Sequence, residues 1–443
     1  MTRTTRRAFV RAAGTALAAG ALPSFACKTR GPSAAASRKT LKILQWSHFI
    51  PGYDRWFDDV FTKEWGEKNG TTVTVDHMAS TEVNARGAAE AAARKGHDLF
   101  LFMSPPAQFE AQVIDHREVV EAVERKYGKM IPLAERSTFN PRTGKRYAFS
   151  DSYVPDPGNY RVDLWKGAGY PTGPDTWEDL RVGGGAIKRR SGNPVGIGMS
   201  QEIDSNMALR GLLWSFGGSE QDESGKVVLD SPETVAALEY ARALYKEAMT
   251  PEIFTWEPAS NNRMMLAGRA SFVCNAISVT RTAEKENPAL SPRIALRPAL
   301  RGPVRRIAAE HVMNCYVIWK FAENQDGAKQ FLVDLVDAFG TVFRESELYN
   351  FPCYPSTVPD LAARIASDAK AQPADKYAVL ADVLEWSTNI GYPGYANAAI
   401  DEVFNTFVIP TMFARVAREQ VTPREAARVA DGELRRIFAK WKV

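Results

Sequence analysis

The chain has 443 residues, 45% of them hydrophobic and 24% charged; this is ordinary globular composition at a length beyond what one core sustains, so two domains are expected. The formal charge is +4, but Arg3, Arg6, Arg7 and Arg11 lie in the first 26 residues, where no acid occurs; removing these four of the 56 basic residues leaves 52 against 52 acids. A nucleic-acid reader needs a basic face to neutralise phosphates, and this balance gives no support for one.

In chain order, Arg6-Arg7-Ala8-Phe9-Val10-Arg11 resembles a twin-arginine export signal. It is followed by the uncharged, weakly apolar segment 12–26, "AAGTALAAGALPSFA", too short to span a bilayer as a stable helix. Residues 1–26 are therefore expected to be a signal peptide, with export in a folded state and a periplasmic or other extracytoplasmic destination. No later run approaches the roughly 20 apolar residues of a spanning helix. Cys27 follows Ala26, as in an acylated lipoprotein, although Ser24 and Phe25 suit that pattern poorly; Ser24-Phe25-Ala26 and Ala34-Ala35-Ala36 suit an ordinary signal peptidase. Lipidation of Cys27 and its removal both stay open. Residues 27–40, rich in small and polar side chains, are expected to form a flexible tether. The remaining Cys274, Cys315 and Cys353 are odd in number and contain no C-x-x-C pair, so buried free thiols are expected.

Leu41–Trp46 has strand character, and apolar residues at 53, 56, 57, 60 and 61 mark one face of a helix, so Phe57, Phe61 and Trp65 are expected in the core. Thr72–His77 alternates as a second strand, Thr81–Arg94 is helical, and His97–Phe102 is a buried third strand ended by Pro105-Pro106. This β-α-β-α-β order predicts an open, mainly parallel sheet with crossover helices. Phe149–Asn159, "FSDSYVPDPGN", is dense in turn formers and reads as a crossing between domains. Beyond it come short helical Asp163–Ala168, a helix capped by Thr176, and helical Ser231–Lys246 with Ser231 as N-cap and Pro232 at its first turn. Ser271–Asn275, Arg293–Leu296 and Val312–Trp319 read as strands, and Gln325–Ala338 as an amphipathic helix. Ala398–Trp441 is largely helical, with a break expected near Pro410 and a restart at Pro423.

Catalytic signatures are weak. Gly183-Gly184-Gly185 lacks the lysine and hydroxyl of a phosphate loop, and no G-x-S-x-G or H-E-x-x-H occurs. The five histidines are too dispersed for a recognisable metal cluster, and no cofactor is expected.

Four stretches carry a family resemblance: the opening strand and aromatic helix followed by "AAEAAARKGHDLFLF"; "GYPTGPDTWEDL"; "LLWSFGGSEQDESGKVVLDSPETVAALEYARALY"; and "NRMMLAGRASFVCNAIS". Together with the tail "IGYPGYANAAIDEVFNTFVIPTMF" they resemble the extracellular solute-binding proteins of bacterial ABC importers, in the large family of carbohydrate and maltose binders. The resemblance implies an α/β, two-lobe fold of periplasmic-binding-protein type II, each lobe a mixed, mainly parallel sheet flanked by helices, with hinge crossings between them. Lobe 1 is placed at 41–150 plus 281–338, and lobe 2 at 151–280 plus 339–443. It also implies a monomer that traps a small solute in the interlobe cleft and delivers it to an inner-membrane permease, without catalysis.

Ligands of open α/β sheets bind beyond the carboxyl ends of strands. That rule nominates Trp46 and His48 after the first strand, Ser80 and Glu82 after the second, Ser104 after the third, Tyr153 at the crossing, and Asn275 and Ser278 after "ASFVC". A sugar needs an aromatic platform with hydroxyl or amide partners; Trp214, Trp256 and Trp386 are the platform candidates, Asn261 and Asn262 the amides, and Tyr349 and Tyr392 cleft-edge candidates. The expected ligand is a sugar, small oligosaccharide or polyol. The alternatives are a charged solute and a secreted carbohydrate-active enzyme. A polyamine would gather acids such as Glu82, Asp151 and Glu257 around aromatics, and a sugar phosphate would use Arg263 or Arg281. An enzyme would need two facing carboxylates across the cleft.

Overall fold

A computed structural model describes residues 39–443. The twin-arginine motif, Cys27 and most of the tether lie outside the described residues.

The strand Lys39–Trp46 alternates apolar and polar residues at its start and is buried at its end. It pairs in parallel with Thr71–Met78 on one side and with Leu99–Phe102 on the other. Cys315–Ile318 returns from more than 200 residues downstream to pair antiparallel with Leu99–Phe102, completing a four-stranded sheet. The helical segment Pro51–Lys68, with one wider turn at Phe57–Phe61, crosses between the first two strands. Its Phe57, Phe61 and Trp65 rings meet Phe331 edge-on at 5.8, 5.3 and 5.1 Å, so the expected aromatic face packs against the helix Gln325–Asp337.

A second sheet has the order Ile294–Arg297, Gly158–Arg161, Phe272–Cys274, Val195–Gly196. Its first two pairings are antiparallel and its last is parallel. The helix Trp177–Ser191 beside it begins in a reciprocal capping box: Thr176 Oγ1 accepts from the Asp179 amide and Asp179 Oδ2 accepts from the Thr176 amide, both at 2.9 Å. Ser231 likewise caps Pro232–Ala248.

Buried apolar side chains separate into two large cores. The first gathers residues from Leu41 to Val154 and from Val312 to Trp386. The second gathers Tyr160 to Ile253 and Ile390 to Phe438, and a small third cluster of Met264, Met265, Val273, Val279, Leu290 and Ile294 lies beside it. The apolar residues of Phe339–Trp386 thus sit in the first core, and those of Ala283–Ile307 largely with the second and third; periodicity marks a residue for burial without saying against which sheet.

The chain crosses between the cores through 155–159, 309–311 and 387–389. Two small sheets knit the crossings: Ala308–Ala309 runs parallel to Ser387–Thr388, and Ser152–Val154 lies between Val312–Met313 and Phe351–Pro352. The C-terminal helical region is Ala398–Asn405, Val408–Ala417 and Pro423–Trp441. Its break falls at Phe407, in the left-handed region at φ 56°, and not at Pro410. That proline occupies the first turn of a helix, where its missing N–H has no intrahelical partner to lose.

Candidate functional site

Where the strands of both sheets end and the crossings begin, polar side chains are buried together. His311, 2% exposed, places Nδ1 3.2 Å from Asp156 Oδ1 and Nε2 3.5 Å from Asp204 Oδ1. Asp156 and His311 belong to two crossings; Asp204 opens the helix Ile203–Ser215 of the second core. Asn261 Nδ2 donates to Asp204 Oδ2 at 2.8 Å and accepts in turn, through Oδ1, from Asn275 Nδ2 at 3.0 Å. Asn275 also donates to Asn262, whose own amide reaches Ser278 Oγ at 3.1 Å. Glu202 caps the same helix, accepting from the amides of Asp204 and Ser205, each at 2.6 Å, and from the Ser205 hydroxyl. Gly198 makes this approach possible: a Cβ there would lie 2.6 Å from Glu202 Oε1 and 2.3 Å from Ser205 Oγ.

Burial alone would lower the pKa of His311, but Asp156 and Asp204 outweigh it and hold the ring above its ordinary value. Burial pushes the Glu202 carboxyl up, and the neighbouring Asp204 charge pushes it further. Burial likewise raises Asp204, with His311 offsetting part of the rise. Desolvated, mutually shifted groups gathered at strand ends mark a candidate functional site.

Beside this cluster opens a cavity of about 280 Å³. Ser80, Thr81, Val83, Asn84, Met103 and Ser104 wall it from the first sheet; Gln201, Glu202, Ile203 and Pro258, with Phe404, Asn405 and Phe407, wall it from the other side. Across its rim Asn84 Nδ2 donates to Asn405 Oδ1, and nearby the Gln108 amide donates to Asp401 Oδ2 at 2.9 Å. A larger groove of about 640 Å³ lies away from the strand ends, between Ala107–Lys145 and the C-terminal Trp441–Val443; its Lys145 and Glu110 are taken up by local hydrogen bonds.

The residues nominated from sequence fall into three groups. Ser104 is in the cavity wall, and Asn262 and Asn275 belong to the amide chain behind it. Trp256 is half-buried beside the cavity residue Pro258, and its Cε3 would lie 3.5 Å from a Cβ at Gly198. The second group is close but occupied. Trp46 donates from Nε1 to Asn314 Oδ1 at 3.2 Å and stacks on His48 at 4.8 Å. His48 Nε2 pairs with Asn350 Oδ1 at 3.2 Å, and burial depresses its pKa to about 4, so it stays neutral. Tyr153 is buried in the crossing sheet against Phe351. The structure does not bring the third group to the cavity wall. Trp214 is 0% exposed and donates to Glu220 Oε2 at 3.0 Å, Trp386 is buried in the first core, and Glu82 is exposed before the helix Val83–Ala93.

Sequence reading nominated Asn261 as an amide but did not single out Asp156, Glu202, Asp204 or His311. The one local signal was "QEID", two acids at the start of a helix whose later part, Met207–Trp214, is mostly apolar. Among the described residues, Cys274, Cys315 and Cys353 are free thiols, no group of side chains is arranged to hold a metal ion, and no helix is long and apolar enough to cross a membrane.

Comparison with known proteins agrees with this geometry. Residues 51–333 match the family described as bacterial extracellular solute-binding proteins. A Deinococcus radiodurans protein named a probable ABC transporter-binding protein is 26% identical over 257 residues, 55% of this chain and 60% of that relative. Among solved structures, maltose-bound MalE3 of T. maritima superposes with a TM-score of 0.75 at 21% identity, over 89% of this chain and 99% of that one. An ABC transporter solute-binding protein from Thermotoga lettingae, bound with α-D-tagatose, has a TM-score of 0.75 at 18% identity, covering 90% and 99%. One from Agrobacterium radiobacter, in complex with ribitol, has 0.70 at 18%, covering 90% and 99%. With a two-lobe fold shared with these proteins and a family match over more than half its length, the chain belongs to the bacterial extracellular solute-binding protein family.

Proposed function

We propose that the protein is the extracytoplasmic binding component of an ABC importer, capturing a sugar or polyol between its lobes and handing it unaltered to a permease. The observation that carries this reading is the wall of the 280 Å³ cavity: hydroxyls and an amide from the first-sheet side, amides and one buried carboxylate from the other, and no lysine, arginine or histidine. Hydroxyl groups of a polyol find donors and acceptors there, while a phosphate finds no cation. The volume lies near the lower end of the ~300–1,000 Å³ of small-molecule sites, which favours a single sugar or polyol over an oligosaccharide. The ligands of the similar structures, maltose, tagatose and ribitol, are of this chemical class. Lobe borders follow the three crossings, and closure about them brings Asn84 to Asn405. The twin-arginine leader and the tether at Cys27 fit the same extracytoplasmic role, with the protein working as a monomer and without catalysis.

The test is a thermal-shift screen against neutral sugars, polyols, sugar phosphates and polyamines. A ligand at about 100 times its dissociation constant adds roughly 2.7 kcal/mol of stability. Stabilisation by a sugar or polyol that is recovered chemically unchanged supports the proposal. Stabilisation by sugar phosphates alone, or conversion of the ligand to product, contradicts it.

A further inference from the structure

We propose, resting on the sugar or polyol reading, that the solute is a sugar hydroxylated along one edge and apolar at one end, of the 6-deoxyhexose class, with its methyl group against the second-core side of the cavity. On the first-sheet side stand the hydroxyls of Ser80, Thr81 and Ser104. Among the described residues none of these three hydroxyls has a hydrogen-bond partner in the protein, so they are available to a solute. The polar groups of the opposite wall are already satisfied. Glu202 Oε2 accepts from the Asp204 amide, and Oε1 accepts from the amide and hydroxyl of Ser205. Asn405 donates Nδ2 to Asp401 O and Oδ1 at 3.0 and 2.6 Å, and its own Oδ1 accepts from Asn84. Gln201 is exposed to solvent. What that wall offers a solute is the hydrocarbon of Ile203, Pro258, Phe404 and Phe407.

The backbone at Phe407 is a second, independent observation. This residue stands in the left-handed region at φ 56°, which glycine and asparagine fill far more readily than a bulky aromatic. A ring kept there against backbone strain marks a position where the side chain itself is used, and this ring is in the cavity wall. Ile203, at the start of the helix Ile203–Ser215, packs against both cores.

The two walls sort solutes by where their hydroxyls lie. A hexose hydroxymethyl group turned to the apolar wall would bury an O–H without a partner, and an acyclic polyol, hydroxylated at every carbon, would bury more than one. A methyl group in the same place loses no hydrogen bond and gains the apolar contact. The ring hydroxyls then meet Ser80, Thr81 and Ser104.

The experiment is calorimetric titration of the protein with L-rhamnose, L-fucose and 6-deoxy-D-glucose, each beside its 6-hydroxyl counterpart (L-mannose, L-galactose and D-glucose), and with D-sorbitol. At least one 6-deoxy sugar is expected to bind about tenfold or more tighter than its counterpart, the order of discrimination an apolar pocket exerts against an added hydroxyl. Ile203→Thr, which keeps a branched side chain and sets a hydroxyl in the apolar wall, is expected to narrow that preference. A counterpart or sorbitol binding as tightly as the deoxy sugars would overturn the assignment and leave the sugar or polyol reading standing. Binding of none of the deoxy sugars would also overturn the assignment, and absence of stabilisation by any neutral sugar or polyol would overturn the reading beneath it as well. The wild-type comparison decides even if Ile203→Thr does not fold. A folded Ile203→Thr with an unchanged preference would overturn the placement of the methyl group against this wall.

Discussion

His311 Nδ1 lies 3.2 Å from Asp156 Oδ1, and the two residues sit on different crossings between the two cores. The contact is an ion pair while the imidazole is protonated, and Asp204, on the far side of the ring, extends it to the helix Ile203–Ser215 of the second core.

The folded-state pKa of His311 is raised, so its contribution to stability is fully present below the unfolded value of about 6.5 and is lost as pH rises through the folded value. His311→Gln leaves two buried carboxylates without their cation and is expected to cost about 3–5 kcal/mol at pH 6. The penalty should shrink at higher pH, where the wild-type ring has itself lost its charge. Thermal denaturation of both proteins at pH 6 and pH 9 checks this; an equal difference at the two pH values would refute it.

Glu310 adjoins this histidine in the same crossing, fully buried, with neither carboxylate oxygen in a sound hydrogen bond. Burial pushes its pKa up to about 8. Its protonated form is therefore favoured by folding, and stability is lost as pH rises from about 4.5 through about 8. Glu310→Gln, which stays neutral, should raise stability at pH 9 by roughly 1–3 kcal/mol and change it little at pH 5. Denaturant titrations at the two pH values decide, and a uniform loss would count against the assignment.

Much of the fold was legible in the sequence. Leu41–Trp46, Thr72–His77 and His97–Phe102 announce a parallel sheet by period and spacing, and Thr176 and Ser231 announce their helices because capping chemistry is local. The site was less legible. Asp156 and His311 are 155 positions apart, joined only because the chain crosses twice at one place. Trp214 and Trp386 show the opposite difficulty: a large aromatic suits a core or a sugar platform, and only tertiary position distinguishes them. Ser104 and Asn275 were nominated because ligand sites lie beyond strand ends, whereas Asn262 was nominated only for its amide beside Trp256.

The tryptophans give a control. Trp214→Phe removes the donor to Glu220 and is expected to cost about 1–3 kcal/mol of stability. It should leave ligand affinity of the folded protein within about twofold, since it borders no part of the cavity. Calorimetric titration beside a melting curve separates the two effects; an intact fold with lost affinity would place Trp214 in the site after all.

Closure should depend on the contacts across the rim. Asn84→Ala removes the hydrogen bond to Asn405, worth about 1 kcal/mol to the closed form, and so should weaken ligand binding by up to about fivefold through the population of that form. Small-angle scattering at saturating ligand should still show full compaction. Unchanged affinity would show that this bond does not form on closure.

The central claim is that a sugar or polyol occupies the cavity between Ser104 and Glu202. The most direct measurement is calorimetric titration of the compound giving the largest thermal shift, into wild-type protein and into Ser104→Trp, which fills the cavity. The account expects one-to-one binding by the wild type, none by the variant at the same concentrations, and the solute recovered unaltered. Equal affinity in the two proteins would place the ligand elsewhere and contradict the claim.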